Sequence, residues 1–90
     1  MGDRGIPLGE IVATPGAITT LTGAEINSSL ARHQAGDWGL VCDEDKQAND
    51  DALKTDARLL SVYENKDGVN FWIITEWDRN VTTVLLPEDY

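Results

Sequence analysis

His33 and Cys42 are the only histidine and the only cysteine of the chain, so nucleophilic or imidazole-based chemistry would have to start with them. They stand nine residues apart across the expected end of a helix. Pairing them requires the connection to fold back, and one of each falls short of the four ligands of a structural zinc site. Their ordinary roles are a helix-end histidine and a small core thiol.

The acidic group Asp43, Glu44, Asp45, Asp50, Asp51 and Asp56 invites a calcium loop, but the glycine at position six and the bidentate glutamate at twelve are missing. A solvated helix with its first turn suited to the macrodipole is the simpler reading. The functional alternative is a mimic of a phosphate backbone that occupies a basic groove, with Lys46 and Lys54 interrupting the run. Glu64, Glu76 and Asp78 could share acid and base roles, yet no strand position forces their desolvation, and solvent-facing carboxylates are expected. There is no Walker loop, dinucleotide fingerprint or Gly-x-Ser-x-Gly elbow. No catalytic residue, metal ligand or cofactor is expected.

Trp38, Trp72 and Trp77 are the remaining signal. Three tryptophans exceed what one small core hides with ease, and an exposed tryptophan is a common anchor at protein interfaces. Trp38 is expected to plug the core. Trp72 and Trp77 would point to opposite faces of a regular strand, leaving one partly exposed.

The elements that position these residues follow from hydrophobic period and punctuation. Phe71 to Trp77 is the most apolar run, dense in β-branched and aromatic residues, and reads as the central strand of a three-stranded antiparallel meander. Arg58 to Glu64 precedes it and Val81 to Leu86 follows. Asn65-Lys66-Asp67-Gly68 makes the first turn, with Gly68 able to take positive φ, and Asp78-Arg79-Asn80 the second. Both faces of the central strand are largely apolar, which predicts helices on one side and partial cover, or a partner, on the other. Ile11-Val12-Ala13 could add a short strand at one edge.

Thr14 before Pro15 is a helix start of about two turns. Thr22-Gly23-Ala24-Glu25 is a capping box opening a second helix, with Ile26, Leu30 and His33 as its buried stripe and Gly36 as its stop. The acidic run opens a third helix, thinly attached through Ala48, Ala52 and Leu53. The fold class is therefore α+β: the meander in the C-terminal half, packed against two or three N-terminal helices. Residues 1–8 read as a flexible N-terminal arm and 9–90 as one domain.

Sixteen carboxylates against seven Lys and Arg give a net charge of −9 in 90 residues. That sign repels phosphate backbones and anionic lipid, so direct nucleic-acid or membrane binding is disfavoured and a protein with a basic surface is favoured. The single cysteine rules out an intrachain disulfide, and the start of the sequence lacks the basic and apolar regions of a secretory signal. No apolar run approaches a membrane span. A cytoplasmic location is expected.

The segments Gly9 to Ala17, Leu30-Ala31-Arg32-His33 with Gly36-Asp37-Trp38-Gly39, and Phe71 to Tyr90 ending Thr82-Thr83-Val84-Leu85-Leu86-Pro87-Glu88-Asp89-Tyr90 resemble a family of short bacterial proteins. Such proteins are carried on plasmids, integrated elements and prophages, and some bear restriction-system labels. The resemblance implies a mobile-element origin and brings no catalytic residues.

Charge and resemblance together predict a non-enzymatic binding protein acting on a host defence complex, of anti-CRISPR or anti-restriction type. Asp43, Glu44, Asp45, Asp50, Asp51, Trp72, Glu76, Trp77 and Asp78 are the candidate contact residues. The alternatives are a self-associating regulatory module, a homodimer joined through the sheet, and, further off, a small metal-dependent hydrolase.

Overall fold

Two side-chain caps set the course of the N-terminal half. In the computed structural model, which describes residues 5–90, Thr14 Oγ1 accepts the Ala17 amide at 3.2 Å and starts helix α1 (Pro15–Thr20). Thr22 and Glu25 then form the expected reciprocal box. The Glu25 amide donates to Thr22 Oγ1 at 3.0 Å and the Thr22 amide to Glu25 Oε1 at 2.9 Å, opening helix α2 (Gly23–Gln34). The backbone bond from Thr22 holds the Glu25 carboxyl below its usual range.

Helix α3 (Asp43–Thr55) begins at Cys42 without a side-chain cap, and Asp43, Glu44 and Asp45 fill its first turn. Its opening amides meet negative charge there, as the macrodipole favours.

Four strands follow the sheet order β1 (Glu10–Ala13), β4 (Val81–Leu85), β3 (Asn70–Thr75), β2 (Leu59–Glu64). The last three in the chain are the antiparallel meander, with Ser61 opposite Ile73 and Ile73 opposite Val84. The α+β class holds, but the sheet is mixed and four-stranded, not a purely antiparallel three-stranded one. Strand β1 runs parallel to β4, with Ile11 opposite Thr82. The edge strand is where its apolar residues suggested, but a four-residue strand whose partner lies about 70 residues away gives no local sign of its direction.

The hairpin turn forms at Asn65, whose amide bonds to the Val69 carbonyl, and Gly68 takes φ +80°. The central strand stops at Thr75, short of Trp77. The Glu76 amide closes onto Val81 O, and Arg79 turns the chain at φ +62°. Trp77 therefore belongs to a turn and its direction is not set by strand alternation.

One face of the sheet carries the core: Ala17, Leu21 and Leu30 pack against Tyr63, Phe71, Ile73 and Val84. A smaller cluster of Trp38, Ala52 and Leu59 sits under α3, with Trp38 plugging the core as expected. Two expectations fail here. Cys42 is exposed at the start of α3 and is no core thiol. The inner face of α3 is Asn49 and Ala52, while Ala48 and Leu53 are exposed.

The opposite face bears Leu60, Val62, Trp72, Ile74, Val81, Thr83 and Leu85, most of them half-buried. Its cover is the C-terminal 3₁₀ turn (Pro87–Asp89) and Tyr90, whose ring meets that of Trp72 edge-on at 5.5 Å. Of the arm expected over residues 1–8, residues 1–4 lie outside the described residues. Ile6 exchanges bonds with Gln34, its amide donating to Gln34 O and its carbonyl accepting from Gln34 Nε2.

Candidate functional site

Arg79 joins the acidic helix to the tryptophan-bearing turn. Positive φ at Arg79 folds its side chain back over its own loop, where Nη1 donates to Ala57 O at 2.7 Å and Glu76 O at 3.1 Å. Its Nη2 donates to Ala52 O at 3.1 Å, in the last turn of α3, joining the Asp56 and Ala57 amides that also donate to that carbonyl. A cation placed there also suits the negative end of that helix. Trp77, 64% exposed, is thereby fixed beside the end of the helix that carries Asp50 and Asp51.

The other attachment of α3 is Asn49. Its buried side-chain amide reads the backbone of β2 like a neighbouring strand would, Nδ2 donating to Leu60 O at 2.7 Å and Oδ1 accepting from Leu60 N–H at 3.0 Å. The next outward pair on β2 is taken by the segment ahead of α3. Val62 N–H donates to Trp38 O at 3.1 Å, and Leu40 N–H to Val62 O at 2.7 Å. Gly39 lets that segment come so close: at φ +76°, a Cβ on it would stand 2.0 Å from Val62 O. The edge is sealed, and α3 is fastened along it by these bonds.

With Asn49 and Ala52 turned inward, Asp43, Glu44, Asp50 and Asp51 fall on the outward half of the helix, the two pairs separated by two turns or about 10 Å. Asp50 also accepts the Trp38 indole N–H at 3.2 Å and Asp51 the Gln47 amide at 3.1 Å. Among the described residues the ion pairs are Arg32 with Asp37 and Arg58 with Glu76, so no α3 carboxylate is neutralised by one. The negative charge of this face is directed at solvent.

The remaining candidates are divided among three places. Glu76 pairs with Arg58 at 3.5 Å, and Arg58 also donates to the Tyr90 hydroxyl at 2.8 Å; that hydrogen bond first, then the Glu76 charge, raises the guanidinium pKa. Asp78 is spent on its turn, accepting the Asn80 amide and side chain, each at 3.0 Å. Trp72 lies on the open sheet face with Tyr90, away from Trp77. Glu64 stands at the hairpin end of β2, and Glu76 follows the opposite end of the sheet. Those carboxylates are not brought together.

His33 is not at the surface. It is fully buried, with Nδ1 2.6 Å from Ser61 Oγ and Nε2 2.8 Å from Thr75 Oγ1. Thr75 Oγ1 lies 2.8 Å from Thr82 Oγ1, which donates to the Leu8 carbonyl at 2.7 Å. That last bond orients the whole chain: Thr82 has given its proton to Leu8, so Thr75 must donate to Thr82, His33 Nε2–H to Thr75, and Ser61 to Nδ1. Burial first, then the Arg79 charge, lowers the imidazole pKa from 6.5 to about 4, so the ring is neutral at neutral pH and Nδ1 is the acceptor of the Ser61 hydroxyl. The Trp38 ring closes the site edge-on at 5.7 Å. His33 and Cys42 are not a catalytic pair, since both ring nitrogens bond to hydroxyls and the thiol is exposed elsewhere.

Reading the sequence alone passes over Asn49, Arg79 and the hydroxyls of Ser61, Thr75 and Thr82. Only the last group left a trace, as polar residues at strand positions that otherwise face the core. Among the described residues, no group of three or more His, Cys, Asp or Glu could hold a metal ion, and no helix is long and apolar enough to cross a membrane. No protein-family model matches the chain, and neither a curated protein nor a solved structure matches it.

Proposed function

We propose that this is a non-enzymatic binding protein of a mobile genetic element that acts in the cytoplasm on a host defence nucleoprotein complex, such as a CRISPR effector or a restriction enzyme. It inhibits or modulates that complex by protein-protein contact, its acidic helix occupying a basic groove that otherwise receives nucleic acid. The observation that carries this reading is the α3 face: Asp43, Glu44, Asp50 and Asp51 have no ion-pair partner among the described residues, on a helix fastened to the sheet edge by Asn49 and Arg79.

An array of unneutralised carboxylates fixed on one helix pays little ordering entropy when it meets a basic surface, and the attraction of opposite charges speeds the encounter. Trp77 beside it supplies an aromatic anchor of the kind that dominates interface energetics. Glu76 and Asp78 flank that anchor, and Trp72 lies on a separate surface.

The test is capture of purified CRISPR effectors and restriction enzymes, followed by inhibition of their nucleic-acid binding. Reversal of Asp43, Glu44, Asp50 and Asp51 to lysine should abolish capture, and raising the salt concentration should weaken it in the wild type. Unchanged capture by the reversed protein would remove α3 from the account.

A further inference from the structure

The two edges of the sheet end differently. On β2 every outward backbone group of Leu60 and Val62 is bonded, to the Asn49 side chain or to Trp38 and Leu40. On β1 the inward groups belong to Glu10, Val12 and Thr14: Glu10 N–H donates to Asn80 O and Thr14 N–H to Val84 O, and Val12 falls between them in the parallel register. Alternation turns the amides and carbonyls of Ile11 and Ala13 away from the sheet. Among the described residues nothing bonds to them, and the side chains there are exposed, Ile11 by 47% and Val12 by 39%. Lysine, proline and bulges, the usual guards of an open edge, are absent from Glu10–Ala13.

We propose that a second copy of this chain occupies this edge, β1 pairing antiparallel with its twin across a two-fold axis at Val12. The argument is self-complementarity. With Val12 opposite Val12 of the partner subunit, Ile11 of each subunit stands opposite Ala13 of the other. These are the residues whose backbone groups point outward, so each pair exchanges both N–H···O bonds and four new bonds form. Val12 occupies the closely spaced, non-hydrogen-bonded position, where β-branched side chains pack best. Glu10, the one charged residue of the strand, meets Thr14 and not its own copy. A shift of one residue in either direction would set the outward groups opposite residues whose own amides and carbonyls point to β4, and no bonds would form.

The charge of the acidic helices does not oppose this pairing. Helix α3 lies beside β2, at the far edge of each subunit. In the resulting eight-stranded sheet the two β2 strands are seven spacings, or about 34 Å, apart. That is several times the Debye length of about 8 Å at physiological salt, so the acidic helices scarcely repel each other. The inference goes beyond the proposed function and does not require it. A dimer of this shape would display one acidic helix at each end.

The experiment is sedimentation equilibrium of the full chain across a micromolar to millimolar range, with three variants. Wild type should show a monomer-dimer equilibrium. Val12→Lys and Val12→Glu place like charges opposite each other at the axis and should each be monomeric, while an equimolar mixture of the two should recover dimer. Ile11→Pro removes an outward donor without touching the β4 ladder and should also be monomeric. Amide exchange of the wild type at the two ends of the range is independent of any variant's folding: Ile11 and Ala13 should gain protection at high concentration. A strict monomer, a dimer indifferent to all three substitutions, or a dimer without protection at Ile11 and Ala13 would overturn the proposal.

Discussion

The two faces of the sheet differ in where their buried polar groups lie. The helix-covered face buries a histidine, a serine and two threonines within its apolar core, while the opposite face holds Leu60, Val62 and Trp72, half-buried, with Ile74 and Leu85 buried among them. Burying polar groups is tolerable only when each is bonded, and the chain Ser61, His33, Thr75, Thr82, Leu8 meets that condition with one allowed direction of donation. The exterior can stay apolar because Tyr90 and Trp72 shield part of it and because a single sheet face is smaller than a core. The polar chain can be satisfied in one arrangement only, which would make it the part that specifies the fold, with the outer face contributing mainly area.

Deleting the imidazole should show this most strongly. His33→Ala strands the Ser61 and Thr75 hydroxyls and opens a cavity against Trp38, and should cost about 4 kcal/mol in urea or thermal unfolding. A loss under 1 kcal/mol would mean the chain of bonds is incidental to the fold.

Acid should attack the same point. The folded protein holds His33 at a pKa of about 4 against 6.5 when free, so between those values the unfolded chain binds a proton that the folded one refuses. Stability is complete above pH 6.5 and falls by about 1.4 kcal/mol per unit as the pH drops, a total of about 3 kcal/mol by pH 4. Glu25 and Asp37, both held low by hydrogen bonds, lose their own contributions at more acid pH. The measurement is therefore the difference in slope between wild type and His33→Gln, and the variant should be flatter between pH 6.5 and 4. Nitrogen NMR of the wild type at neutral pH should find the proton on Nε2, the tautomer the donor chain demands.

On the other face, Trp72→Ala removes a half-buried ring whose neighbour is Tyr90, and should cost about 2 kcal/mol, half the value for a core tryptophan. Removing the larger side chain from the outer face should thus do less harm than removing the smaller one inside. A reversed order would place the specifying contacts on the wrong side of the sheet.

Much of this architecture was legible from local rules. The capping box at Thr22 and Glu25, the stop at Gly36 and the hairpin at Asn65 to Gly68 are each written within a few residues, and each formed where it was expected. What was illegible joins residues far apart in the chain. The direction of β1 depends on a partner strand about 70 residues on. Asn49 looks like a poor helix residue until Leu60 is placed beside it, and Arg79 like a turn cation until Ala52 O is. Cys42 was assigned inward on composition, but a position before the first turn of an exposed helix has no core to enter. The acidic helix was visible as charge, and the bonds that fasten it were not.

Trp77 marks where the comparison of faces stops applying, because it belongs to neither. Its ring is 64% exposed, and what fixes it is the backbone on either side, held by Arg79 through Glu76 O and Ala57 O. Trp77→Ala should therefore change unfolding free energy by less than about 0.5 kcal/mol, the smallest effect among these substitutions. Arg79→Ala removes a donor from four carbonyls, two of which keep backbone donors, and should loosen both the turn and the end of α3, so it is no substitute as a probe. If the tryptophan is an interface anchor, partner capture should fall at least tenfold in Trp77→Ala with the thermal midpoint unmoved. A variant that melts early would instead make the ring a structural prop for the loop, and the acidic helix would have to bind alone.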